Sequence, residues 1–130
     1  MFRWVDHTAE LELEIEAQSE EGIFSEAVEA LTELIGEGEG EHHMRDVEVR
    51  ADEPAMLLVE WLGELVYLSE TEGFVARRVA SLDVDDGRVR ATVEGRAGEP
   101  RHLVKAVTLH RLELRPDVDG RWHARVVLDV

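Results

Sequence analysis

The 130-residue sequence carries its reactive side chains in a few short clusters. Glu10, Glu12, Glu14 and Glu16 alternate with Leu11, Leu13 and Ile15, and three further glutamates precede a histidine pair in Gly36-Glu37-Gly38-Glu39-Gly40-Glu41-His42-His43. Two other histidines sit beside threonine in short polar interruptions of strand-like segments, Asp6-His7-Thr8-Ala9-Glu10 and Val107-Thr108-Leu109-His110. The sequence closes on Leu128-Asp129-Val130. Carboxylates and imidazoles are the donors of metal sites, hard cations taking the oxygens. Nucleophilic chemistry is poorly provided for. There is no cysteine, which excludes thiolate catalysis, disulfides and zinc ribbons. Ser19, Ser25, Ser69 and Ser81 lie in cap, helix or strand contexts, and no Gly-x-Ser-x-Gly elbow is present. The glycine-rich run lacks the Lys and Ser/Thr of a phosphate cradle, and its glutamates would repel phosphate. Independent catalysis is not expected.

Each cluster also has a plain structural reading from spacing alone. His42-His43 reads as part of a mobile acidic loop, and His102 and His123 as surface or sheet-face residues. His7 and His110 read as satisfied, semi-buried polar groups. Glu10 belongs to a solvated glutamate face, and Asp129 is a polar terminus. The charge adds a constraint. Thirty acidic residues against 14 basic ones leave −16, a field that opposes a phosphate backbone, because nucleic-acid affinity rests on Lys and Arg displacing counterions. A hard cation or a basic protein partner is favoured instead. Only one basic residue is a lysine, Lys105. An arginine bias of this kind follows from a GC-rich genome or a salt-adapted host, but Lys105 cannot be put down to a general supply of lysines. No apolar run reaches the ~18 residues of a membrane span, and no secretory signal is evident, so a soluble cytoplasmic protein is expected.

The elements that position these residues follow from periodicity. Glu10 to Glu16 alternates as a half-buried strand. Ser19 offers an N-cap, apolar residues from Ile23 to Ile35 recur at helical spacing, and Gly36 stops the helix. Residues 44–50 predict a short strand. Asp52-Glu53-Pro54 opens a second helix with the stripe Leu57, Leu58, Trp61, Leu62, Leu65 and Leu68, and Gly73 ends it. Residues 74–84 and 88–94 form a hairpin through Asp86-Gly87. An irregular loop covers 95–102, and a second hairpin pairs 106–115 with 121–129 through Asp119-Gly120. In the last strand Trp122, Ala124, Val126 and Leu128 share a face, so Asp129 points away from it. The expected architecture is one domain, residues 1–130, of α+β class. It has two layers, with two amphipathic helices packed on one face of a single, mostly antiparallel sheet.

Four segments resemble the archease family: Asp6-His7-Thr8-Ala9-Glu10, Leu57-Leu58 through Trp61-Leu62, Val104-Lys105-Ala106-Val107-Thr108-Leu109-His110, and the terminal Leu128-Asp129-Val130. The likeness runs along the whole chain in the same order. It implies a small cytoplasmic protein that assists the RtcB-type tRNA-splicing ligase, an enzyme that joins RNA ends with GTP and manganese through a guanylylated histidine. Such helpers promote guanylylation and repeated turnover without being ligases. The resemblance also implies a divalent cation, calcium first, with manganese or magnesium as alternatives. Its ligands carry over to Glu10, Asp129 and Val130. Lys105, His7, Thr108 and His110 carry over as residues of partner contact and activation. Position 10 departs from the family, which usually has Asp there. The extra methylene moves the carboxylate by about 1.5 Å, which calcium accommodates more readily than magnesium. A chaperone-like regulator of RNA-processing or RNA-modifying enzymes is the alternative reading. A stand-alone metallohydrolase would need a general base, and only the metal half is visible.

Overall fold

The structure, a computed structural model, describes all 130 residues. Strands β1 (Phe2–His7) and β2 (Glu10–Ala17) form a hairpin, followed by helix α1 (Glu20–Ile35), β3 (His42–Arg50) and α2 (Pro54–Thr71). Two further hairpins complete the chain, β4 (Phe74–Asp85) with β5 (Arg88–Ala97), and β6 (Ala106–Pro116) with β7 (Trp122–Asp129). The helix boundaries follow the sequence signals. Ser19 Oγ accepts from the Gly22 N–H at 3.1 Å, and Gly36, at φ 98°, ends α1 while its N–H reaches the Thr32 carbonyl. Pro54 opens α2 behind Glu53, which caps without a side-chain bond.

The strands divide into two sheets, not one: β1-β2-β7-β6 and β3-β5-β4. Every pairing is antiparallel. The division is a matter of long-range pairing. The hairpin after α2 joins β3, and the last hairpin returns to β2, where β7 takes a central position. Both helices touch strands of both sheets, α1 lying against β2 and β4, and α2 against β3, β4 and β6. One cluster of 27 buried residues fills the space between them. Alternation explains its membership: Leu13 and Ile15 from β2, Ala124, Val126 and Leu128 from β7, and Val89, Ala91 and Val93 from β5. Trp61 is fully buried. Its indole N–H donates to the Phe24 carbonyl at 3.0 Å, and its ring meets Phe24 edge-on at 6.2 Å, which fixes the two helices against each other.

Strand β1 has no counterpart in the periodicity reading; Phe2 and Trp4 pack on the core with little apolar sequence around them. His42 and His43 begin β3 and are not loop residues. The loop from Gly36 to Glu41 is tied down. The Gly40 N–H donates to the Ala97 carbonyl and the Ala97 N–H to the Glu41 carbonyl, each at 2.8 Å. A Cβ at Gly40 would stand 2.7 Å from the Ala97 carbonyl oxygen, so only glycine permits this approach. Strand β5 therefore runs on to Ala97, into the segment expected to be irregular. Neither helix is long and apolar enough to cross a membrane.

Candidate functional site

The outer face of the four-stranded sheet is ordered in rows by its register. The first row runs His7, Glu10, Asp129, Ala106. The second runs Val5, Glu12, Val127, Thr108, and the third Arg3, Glu14, Arg125, Glu113. Glu16, His123 and Arg115 make the fourth. Because side chains alternate along a strand, the glutamates of β2 and the odd-numbered residues of β7 all fall on this one face.

Rows three and four balance their charges. Arg3 Nε donates to Glu14 at 2.9 Å, and this guanidinium holds the Glu14 carboxyl below the usual carboxylate range. Arg125 bonds Glu113 at 2.9 Å, and Glu113 is held low chiefly by its hydrogen bond from Arg115. Glu16, Asp117 and His123 bring three metal-type donors together. Arg115 pairs with Asp117 and Arg121 lies 3.8 Å from Glu16, so cations of the chain already answer those acids.

Row one is different. Glu10 and Asp129 stand directly opposite each other, both half-buried, and neither forms an ion pair with any basic side chain of the protein. Opposed cross-strand residues hold their Cβ atoms roughly 4.5–5.5 Å apart, and like charges placed so repel. The neighbouring backbone is closely tied. The Lys105 N–H donates to the Asp129 carbonyl at 2.8 Å, and the Val130 N–H approaches the Ala9 carbonyl at 3.4 Å. Ala9 lies in the β1–β2 turn at φ 61°, a left-handed conformation that costs a non-glycine residue about 1–2 kcal/mol. Strain of this size at the end of a sheet keeps the turn in one shape only if its surroundings enforce it.

The remaining motif residues gather nearby without forming one contact network. Lys105 is exposed and makes no ion pair with the chain's own carboxylates. His7 Nε2 lies 3.6 Å from Glu12, not from Glu10. Thr108 is half-buried, and its Oγ1 accepts from the His110 N–H at 3.3 Å. His7 and His110 are both exposed, where semi-buried residues were expected. Glu12 also departs from the solvated-face reading: it is 3 % exposed, with Arg111 Nη1 at 2.7 Å from its Oε1. Alternation gave its face, but nothing in the spacing signals a cover over that face. A groove of about 1580 Å³ lies elsewhere, between the end of α1 and residues 36–40, and of its lining only Phe2 and Ala97 are apolar. It lacks the hydrophobic walls of a small-molecule pocket.

Two helices against antiparallel sheets, with an uncompensated pair of carboxylates where β2 and β7 meet, define a small α+β protein with an oxygen-rich sheet end. The chain belongs to the archease protein family, whose model matches residues 2–130. It is 30 % identical to protein archease of Methanosarcina barkeri, over 99 % of this chain and 95 % of that one. With protein archease of Methanopyrus kandleri it shares 32 %, over 97 % and 96 %. The solution structure of Methanobacterium thermoautotrophicum protein 1598 superposes with a TM-score of 0.74 at 30 % identity, covering 99 % of this chain and 98 % of that one. The crystal structure of a Thermotoga maritima protein, described as an archease and possible chaperone, shares the fold. Its TM-score is 0.71 at 21 % identity, over 100 % and 98 %.

Proposed function

We propose that this protein is an accessory protein of an RtcB-type RNA ligase, not a catalyst in its own right. It promotes guanylylation and repeated turnover of the ligase by protein–protein contact through a cation-bearing acidic end. The observation that carries this reading is row one, where two opposed carboxylates lack any cation of the chain's own. The donor set fits a hard divalent cation: Glu10, Asp129 and the main-chain carbonyl of Val130 supply oxygen only. Calcium suits such a set best, with manganese or magnesium as alternatives. Glu10 and Asp129 would hold the cation, which would supply a positive charge to offset the two carboxylates. The ligase as partner comes from the family motifs. An enzyme that grips RNA and GTP presents positive charge, which a protein of charge −16 meets by complementarity.

The test is single-turnover guanylylation of the ligase with and without this protein, and acceleration is the expected result. Lys105 sharpens it. Its ammonium is exposed and free of the chain's own acids, which supports a contact outward to a partner's phosphate or carboxylate. Lys105→Ala is expected to melt like the parent yet lose activation by about tenfold, the worth of one charge-assisted hydrogen bond. Lys105→Arg is expected to restore it in part, since a planar fork does not replace a compact ammonium. Full activation by a folded Lys105→Ala protein would remove the residue from the contact. The protein alone is also expected not to shift a tRNA half in a gel at moderate salt, and tight, salt-sensitive binding there would refute the protein-contact reading.

A chaperone-like regulator of RNA-processing or RNA-modifying enzymes is the second reading, favoured by the description of the Thermotoga maritima archease. Suppressed aggregation of unrelated client proteins, without an effect on guanylylation, would select it.

A further inference from the structure

The β6 strand breaks its register against β7 between Thr108, opposite Val127, and Glu113, opposite Arg125. Residues 109–112 therefore occupy the space that Val126 alone fills on β7, a bulge far larger than the usual single extra residue. Three features mark this bulge. Arg111 takes φ 57°, left-handed for a non-glycine residue. Its guanidinium reaches Glu12 on β2 at 2.7 Å, so the side chain must pass over β7 at Val127. Val127 is accordingly 1 % exposed although it faces outward, away from the main core. The third feature is the bond from the His110 N–H to Thr108 Oγ1.

Glu12 is buried while the Arg111 side chain stays 46 % exposed, so the carboxylate bears a desolvation cost that its partner answers from the solvent side, and the pair is a poor source of net stability. No donor is squarely aligned on Glu12 Oε1. Backbone strain and a buried charge are thus both accepted in order to keep this segment arched. What the arch displays is Leu109, 60 % exposed, and an exposed His110. Bulges re-aim side chains, and this one turns an aliphatic and an imidazole group outward on a segment tied to β2 through Arg111.

We infer that the bulge at residues 109–112 is a protein-docking projection, with Leu109 as its apolar anchor and Arg111–Glu12 as the mount that positions it. The occupant is a basic protein surface with a recess for an aliphatic side chain. A second copy of this chain would bring another −16 against the first. The inference rests on the accessory-protein reading for the partner's identity, which makes the ligase the protein to test.

The experiment combines calorimetric binding of the RtcB-type ligase with amide hydrogen exchange. Leu109→Ser is expected to weaken binding about tenfold or more, the worth of one buried leucine, with an unchanged melting curve and unchanged calcium affinity. The double variant Glu12→Gln, Arg111→Gly suits the backbone angle and removes both charges. It is expected to weaken binding in the same way and to speed exchange at 109–112 while β7 exchanges as before. Equal binding by the folded Leu109→Ser protein would overturn the docking role, and unchanged exchange at 109–112 in the double variant would overturn the mount. Self-association that Leu109→Ser abolishes would overturn the choice of partner. If the parent protein neither binds nor activates the ligase, the accessory reading fails, whereas binding that ignores Leu109 removes only this inference.

Discussion

Glu10→Gln and Asp129→Asn are each expected to raise the melting temperature of the cation-free protein slightly and to abolish most of the further rise expected of the parent on adding calcium. The two signs come from one geometry. The carboxylates face each other across β2 and β7 with no arginine or lysine between them, so each amide variant removes a like-charge opposition worth roughly 0.2–1 kcal/mol. With a cation present the same pair becomes an asset. A ligand at a hundred times its dissociation constant stabilises the folded state by about 2.7 kcal/mol. For a chain of this length that corresponds to a rise of roughly 10 °C. The amide variants keep the side-chain shape and lose an anionic oxygen donor, so most of the rise should vanish, and ligase activation should fall with it. Thermal melts with and without calcium decide the matter. An undiminished calcium shift in both variants would remove the cation from row one and leave the opposed carboxylates unexplained.

The row itself was partly legible in the sequence. Strict alternation puts Glu10 on the polar face of its strand, and phase against Leu128 puts Asp129 on the outer face of the last. Their juxtaposition depended on those strands being neighbours, which is a fact of topology. Helices were easier to read because their signals are local: the Ser19 cap, Pro54, and stripes that terminate at Gly36 and Gly73. The hairpins announced themselves through Asp86-Gly87 and Asp119-Gly120. What escaped depended on contacts distant in sequence. Strand β1 is brief, and its Phe2 and Trp4 gain their meaning only from pairing with β2. The division into two sheets is decided by which strand each hairpin meets after α2. The arch of β6 was hidden for a local reason as well, since a left-handed φ is signalled by glycine or asparagine and here falls on Arg111. With the arch hidden, the burial of Glu12 could not be read either.

The largest effect on stability is expected at Trp61. It is fully buried, packs edge-on against Phe24 and donates its indole proton to the Phe24 carbonyl. It therefore joins α2 to α1 where both helices already bear on the two sheets. Trp61→Ala removes that joint and leaves a cavity that rigid strands on either side cannot close, at a cost of about 3–5 kcal/mol. A domain of this size holds roughly 5–15 kcal/mol in all, so the variant should melt about 10–20 °C lower. Trp61→Phe keeps an aromatic ring and loses the hydrogen bond. The Phe24 carbonyl lies inside a helix and retains its helical partner, so this change should cost well under half as much. Denaturant titration separates the cases, with a lower midpoint and an unchanged slope expected for both. Calcium affinity of the folded fraction should stay at the parent value, because the carboxylate row lies on the outer face of the sheet and Trp61 in the core behind its inner face. A loss below about 1 kcal/mol for Trp61→Ala would mean that the sheets hold their alignment without the helix joint.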